Sequence, residues 1–206
     1  MLTRYLLLSS CLLFIGCTSA YKHLQIIQGD ASCLRKLKPK FGSAIYTTQV
    51  QILNNYLSGI LLIKEMPDST TRVVFSSELG LSFFDFEFGP NGAFKVHHII
   101  EKMNRKSVIS TLRKDFELVL MGSLDSSNTR IYQSNDRLYY AFPKKKGINY
   151  YITDLQCQYL LGIEHGSKRK AIVKVVMMDF NNHVPDSIGI EHTNFKFTIG
   201  LKRLVR

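Results

Sequence analysis

The chain has 206 residues, is 45% hydrophobic and 21% charged, and carries a formal net charge of +11 at pH 7, which fits one globular domain with a sizeable core. Of its four cysteines only Cys33 and Cys157 lie beyond the N-terminal apolar run, and two cysteines make no disulfide framework. The positive charge favours anionic surfaces, nucleic acid or lipid head groups. No zinc-finger spacing or helical basic region supports nucleic acid, and "KKK" at 144–146 and "SKRK" at 167–170 lie between apolar segments, as charged hairpin tips do.

Arg4 precedes an apolar run, Tyr5 to Cys17, that is broken by Ser9 and Ser10. At about a dozen residues the run is shorter than the roughly 20 a membrane-spanning helix needs. A positive start, a leucine-rich middle and small residues after it predict a secretory signal. Residues 13–17, "LFIGC", resemble the lipobox of bacterial lipoprotein signals, in which the cysteine thiol receives lipid at the new N-terminus. Phe14 departs from the usual aliphatic residue three before the cysteine. The expectation is a signal peptide over residues 1–16 and a lipidated Cys17; the alternative is a plain secreted protein. Cys11 then leaves with the signal, and Cys33 and Cys157 remain, as one disulfide or as two free thiols.

Residues 17–40 have little periodicity and end in "LRKLKPK", where Pro39 discourages continuous helix, so this stretch reads as a tether with room for a short helix. From Phe41 the chain changes character, and residues 41–206 read as one domain. Short segments rich in Val, Ile, Tyr, Phe and Thr recur between turn signals such as "MPDS", "GPNG" and "HGSK". Strands are predicted over 44–53, 57–65, 71–77, 82–88, 94–98, 130–134, 137–142, 148–154, 157–164, 171–179, 186–192 and 195–204. In the last, Phe195, Phe197 and Ile199 fall on one face and Lys196 and Thr198 on the other. The expected fold is mainly β with α: a curved antiparallel sheet forming an incomplete barrel, since sheets of that size curl or split. Between strands, residues 104–121 place Val108, Leu112, Phe116, Val119 and Leu120 on one helical stripe, predicting an amphipathic helix that closes the barrel.

No strong catalytic motif appears: no Gly-rich phosphate loop, HExxH or G-x-S-x-G. His97 and His98 are strand neighbours and point to opposite faces, as do Glu164 with His165 and Glu191 with His192, so none forms a local dyad. Asp85 and Glu87 share a strand face about 6.6 Å apart, within range of paired glycosidase carboxylates. Phe84, Phe86 and Phe88 occupy the other face, so the simpler reading is an amphipathic strand with its acids in water. With 13 Phe and 10 Tyr but no Trp, the dry side of the sheet can be packed solid or hollow.

Two stretches bear on that choice. "LSGILLIKEMPDSTTRVVFSSELGLSFFDFEF", residues 57–88, resembles the N-terminal half of the Lol-type lipoprotein carriers, and "VPDSIGIEHTNFKFTIGLKRL", residues 184–204, resembles the C-terminal hairpin of LolB and related lipoproteins. The similarity spans most of residues 44–204 and lies more in the order of strands, mid-chain helix, strands and closing hairpin than in any one motif. Lack of Trp and a lysine-rich tether depart from it. The resemblance implies a half-barrel whose apolar cavity holds acyl chains of lipoproteins or lipids, lined by Phe84, Phe86, Phe88, Leu112, Phe116, Phe195 and Phe197, with the helix as lid. It implies that Leu79, in "SSELGL", enters the membrane from a protruding loop.

The expected function is that of a membrane-tethered carrier or receptor without covalent chemistry, cofactor or metal. It sits at the outer membrane facing the periplasm, where Thr18 after the cysteine favours its placement, and a periplasmic carrier protein is its expected donor. The competing classes are a structural or assembly lipoprotein with a packed core, and a hydrolase built on Asp85 and Glu87.

Overall fold

The computed structural model describes residues 20–122, 124, 128–167 and 169–204. Thirteen strands form one sheet in which every pairing is antiparallel. The strands are β1 (Gln25–Ile27), β2 (Ser43–Ile52), β3 (Asn55–Glu65), β4 (Thr71–Ser76), β5 (Ser82–Phe88), β6 (Phe94–Ile99), β7 (Arg130–Ser134), β8 (Arg137–Pro143), β9 (Ile148–Asp154), β10 (Leu160–Gly166), β11 (Ala171–Asn181), β12 (Val184–His192) and β13 (Phe197–Arg203). A four-residue helix, α1 (Leu34–Leu37), follows β1, and the long helix α2 (Lys106–Val119) follows β6.

Spatial order explains the shape. Strands β2 to β6 form one meander and β7 to β13 another, and the two are joined where β13 pairs with β2. Strands β1 and β6 stay at opposite edges, so the curved sheet is open, an incomplete barrel with α2 on its inner side. Register shifts between Phe75 and Ser76, Asp85 and Phe86, Leu160 and Gly162, and His165 and Gly166 mark bulges, which add twist and bend. Edge chemistry guards the ends: β1 is three residues long, and β6 carries Lys95, His97 and His98 outward, the two histidines sharing a face, contrary to strict alternation, because of the bulge opposite Asp85 and Phe86.

Period-2 alternation lays the core out as rows. Along one, Val50, Ile199, Ile190, Val175, Ile163, Tyr151, Tyr140 and Ile131 are successive cross-strand partners, all on the inner face and all buried. A second row runs Tyr46, Leu61, Phe75, Phe84 to Ile99. Onto these rows α2 sets Leu112, Phe116 and Val119, all buried, as its apolar stripe predicts, and Leu118, which lies off that stripe, is buried as well. Gly59 allows the tight β3–β4 approach; a Cβ there would lie 2.1 Å from the Ser76 carbonyl oxygen.

All twelve predicted strands are present, those over 82–88, 130–134 and 148–154 with the predicted bounds and the others with shifted ends. The strand predicted from Cys157 begins at Leu160 because the Asp154 carboxylate accepts the N–H groups of Gln158 and Tyr159 at 2.7 and 2.8 Å, holding residues 154–159 as a turn. The strand predicted from Phe195 begins at Phe197, since residues 193–196 form the tight link from β12.

The segment read as a tether carries structure throughout its described part. Tyr21 stacks on Tyr150 with ring centroids 4.3 Å apart and its hydroxyl donates to Glu164 at 2.5 Å, covering the outer face of β9 and β10. Strand β1 then pairs with β7, Leu34 is fully buried, and Cys33 is disulfide-bonded to Cys157. The two cysteines left open by the sequence are therefore a pair.

Candidate functional site

Two clefts flank α2 on the inner side of the sheet. The helix is entered from β6 through a short 3-10 turn, Glu101–Met103, and ends where Met121 takes a left-handed conformation (φ 46°). Along it, Ser107, Val108, Thr111, Leu112 and Phe116 face the first cleft, whereas Thr111, Lys114, Asp115 and Leu118 face the second. Thr111 belongs to both.

The first cleft measures about 830 Å³ and lies between α2 and strands β2 to β5 and β13. Its walls include Val50, Ile52, Leu57, Leu61, Phe75, Phe84, Ile100, Met103, Val108, Leu112, Phe116, Phe195, Phe197 and Ile199. Leu53 and Tyr56, 57% and 72% exposed, stand at its rim with Lys102 and Arg105. The arrangement follows from pattern: the inner face of five strands is apolar, the helix stripe is apolar, and the helix does not reach far enough toward β2 and β3 to seal the space. Such a space suits an apolar ligand, as burial of hydrocarbon is its main source of affinity.

Of the residues expected to line a cavity, the structure brings Phe84, Leu112, Phe116, Phe195 and Phe197 together around this cleft. Phe86 and Phe88 are not among its walls; they are buried under Phe94, with ring centroids 5.3 and 5.2 Å from it, as packed core. Phe195 reaches the cleft from the β12–β13 turn, stacked 5.7 Å from Phe197, although it does not belong to the strand.

The second cleft, about 820 Å³, is lined by a cluster of basic side chains. It lies between α2, the β8–β9 turn, β9, β10 and the end of β12, and holds Arg113, Lys114, Lys144, Lys145, Lys146, Asn149, His165, Ser167 and His192. In its floor the Asp115 carboxylate and His192 are 3.0 Å apart and buried, a pairing that the sequence reading missed. Burial pushes the Asp115 carboxyl up, and the hydrogen bond and charge of His192 pull the other way. An aspartate in register with Leu112 and Val119 on the apolar stripe was the available signal, because a carboxylate inside a helix–sheet interface needs a buried partner.

His165 accepts no partner from Glu164; its Nδ1 lies 2.7 Å from Asn149 Oδ1, while Glu164 faces outward to Tyr21. Burial, and then Lys114 and Lys144, hold the His165 ring below its ordinary pKa.

The remaining candidates divide clearly. Leu79 is 98% exposed at the tip of the β4–β5 loop, and Leu81 beside it is 62% exposed. Asp85 and Glu87 are on the outer face, each in a cross-strand pair: Asp85 accepts from Arg72, with Nε at 2.8 Å, and Glu87 lies 2.7 Å from His97 Nε2. They line neither of the two clefts and each is taken up by its cross-strand partner, which removes the geometric basis for a two-carboxylate hydrolase there. No group of His, Cys, Asp and Glu suited to a metal ion occurs among the described residues. Cys17 and the signal peptide lie outside them.

No protein-family model matches the chain, and no curated protein matches it. Solved structures similar in fold include an outer-membrane lipoprotein-sorting protein domain from Vibrio parahaemolyticus, 9% identical with a TM-score of 0.45, over 85% of this chain and 90% of that one. They also include a LolA superfamily protein from Nitrosomonas europaea, 9% identical with a TM-score of 0.48, over 87% of this chain and 93% of that one.

Proposed function

We propose that this chain is a non-enzymatic lipoprotein of the outer membrane, facing the periplasm, that takes acyl chains of lipids or lipoproteins into the apolar cleft beside α2. The observation that carries this reading is the cleft itself: about 830 Å³ walled by aliphatic and aromatic side chains, with its exposed apolar rim at Leu53 and Tyr56. Each methylene buried there contributes about 0.8 kcal/mol, so eight of them supply roughly 6 kcal/mol before the losses of association. That magnitude suits reversible carriage.

In the same reading Cys17 bears the lipid anchor. The Ala20 N–H donates to the Arg169 carbonyl oxygen at 2.7 Å, so Cys17 lies three chain steps, through Thr18 and Ser19, from a fixed point on the body. They span at most about 11 Å, which sets the β10–β11 turn, with Arg169 and Lys170, close to the lipid head groups. Leu79, with no packing role, is the residue that enters a bilayer during delivery, and a periplasmic carrier supplies the cargo.

Native mass spectrometry of the chain purified from cells tests this. An acyl-bearing ligand that co-purifies supports the reading; absence of such a ligand, together with failure to bind a fluorescent fatty-acyl probe, defeats it. A second reading, an assembly lipoprotein that docks another envelope protein, draws on Val176, Met178 and Phe180, which are 41%, 52% and 42% exposed along β11. Substituting these three by Ser would then break a complex while leaving acyl binding intact.

A further inference from the structure

The basic cleft carries a surplus of positive charge that the protein does not satisfy itself. Its lining has five basic side chains, Arg113, Lys114, Lys144, Lys145 and Lys146, and two carboxylates, Asp115 and Glu117. Both carboxylates are committed, Asp115 to His192 at 3.0 Å and Glu117 to Arg113 Nε at 2.7 Å. Arg113 is committed as well, since it also donates to the Gly92 carbonyl oxygen at 2.9 Å and stands 4.9 Å over the Phe94 ring. The four lysine ammonium groups enter no ion pair among the described residues.

Local geometry holds those charges in place. In the turn Lys144–Gly147 the Lys144 N–H donates to the Gly147 carbonyl oxygen at 3.0 Å, and Gly147 has a left-handed φ of 88°. A Cβ on Gly147 would lie 2.6 Å from the Gly166 carbonyl oxygen and 2.9 Å from the His165 ring. Glycine thus lets the lysine turn press against β10, opposite Lys114 on α2. The electrostatics agree: burial holds the half-buried Lys144 ammonium below its ordinary pKa, and Lys114 and Lys144 help to keep His165 neutral.

This basic cleft adjoins the apolar one, because Thr111 and Phe195 line both. We propose that the ligand is an amphiphile with a phosphate-bearing anionic headgroup, its acyl tail in the apolar cleft and its headgroup among Lys114, Lys144 and Lys146. The inference rests on the acyl-binding reading above and names the class of lipid carried. Lysines act as compact point charges that hold a phosphate without the fixed fork geometry an arginine imposes, and the one arginine here is occupied.

The test uses dioctanoyl phosphatidylglycerol and dioctanoyl phosphatidylcholine below their micelle concentrations, so that no charged membrane surface attracts the basic chain. The lipids share tails and differ in headgroup charge; inorganic phosphate is the third ligand, and affinity is read by titration calorimetry. The native chain should prefer the glycerol lipid by about tenfold, and this preference should weaken with salt. The variant K114Q/K144Q/K146Q should lose the preference and keep its affinity for the choline lipid. The variant K64Q/K174Q/K202Q, with equal charge removed from exposed positions on the outer face, should keep both.

Equal binding of the two lipids by the native chain, or loss of the preference in the outer-face variant, overturns the headgroup assignment and leaves acyl binding standing. Binding of inorganic phosphate without either lipid shows a free-anion site and overturns it as well. Binding of none of the three defeats the acyl reading together with the inference.

Discussion

His192 Nε2 lies 3.0 Å from both carboxylate oxygens of Asp115, tying the middle of α2 to the end of β12 with side chains only 5% and 1% exposed. The apolar stripe packs the helix onto the sheet, and this buried polar pair adds a directional contact that suits one setting of the helix about its axis. That setting turns Val108 and Leu112 toward the apolar cleft and Lys114 toward the basic one.

Breaking such a pair from either side leaves a buried polar group without its partner. Asp115→Ala and His192→Ala should each lower stability by about 3 kcal/mol, and the double variant should lose much less than the sum. Urea unfolding of the four proteins in the cycle measures the coupling.

The disulfide joins residues 124 apart in sequence and fastens α1 beside the β9–β10 turn. Closing a loop of that length restricts the unfolded chain by about 4–5 kcal/mol on the chain-entropy account. Cys33→Ser/Cys157→Ser should therefore melt well below the parent, and dithiothreitol should lower the parent's midpoint while leaving the variant's unchanged.

His165 predicts a pH dependence with a definite sign. Burial, Lys114, Lys144 and His192 lower its pKa from the ordinary 6.5, so the folded protein prefers the neutral ring while the unfolded chain takes up a proton near pH 6.5. Its contribution to stability is fully present above pH 6.5 and is lost as pH falls through the lowered folded value. His165→Gln should flatten the fall in unfolding midpoint between pH 7 and pH 5. A bound anion in the basic cleft should raise the His165 pKa, as ring-proton NMR would show.

On the proposed function, Leu79 separates delivery from folding. Nothing packs on a side chain that is 98% exposed, so Leu79→Glu should change the melting temperature by less than about 1 °C. Transfer of a bound acyl ligand to vesicles should fall severalfold in this variant, read as the rate of fluorescence change after mixing.

The strands were legible because alternation is local: a row such as Phe84, Phe86 and Phe88 against Asp85 and Glu87 declares its faces without reference to partners. The helix was legible for the same reason, through Val108, Leu112, Phe116 and Val119. What escaped the sequence depends on distant partners. Strand β1 has three residues and no pattern of its own; it exists because Ile26 and Ile27 meet Tyr132 and Ile131. Cys33 and Cys157 could be counted but not paired. Asp115 and His192, 77 residues apart, become a site only when α2 lies across β12. The basic cleft is likewise assembled from helix residues and a hairpin tip, and along the chain Lys114 reads as the polar side of a helix and Lys144, Lys145 and Lys146 as an ordinary solvated turn.

The central claim is that the cleft between α2 and the sheet takes acyl chains. Val108 lines it while remaining partly exposed, so Val108→Asp places a charge in the cleft without emptying the core. An environment-sensitive fatty-acyl probe should bind the native chain saturably, and V108D should bind it at least about tenfold more weakly with a melting temperature within a few degrees of the parent. Equal probe binding by both proteins, or none by the native chain, would contradict the account.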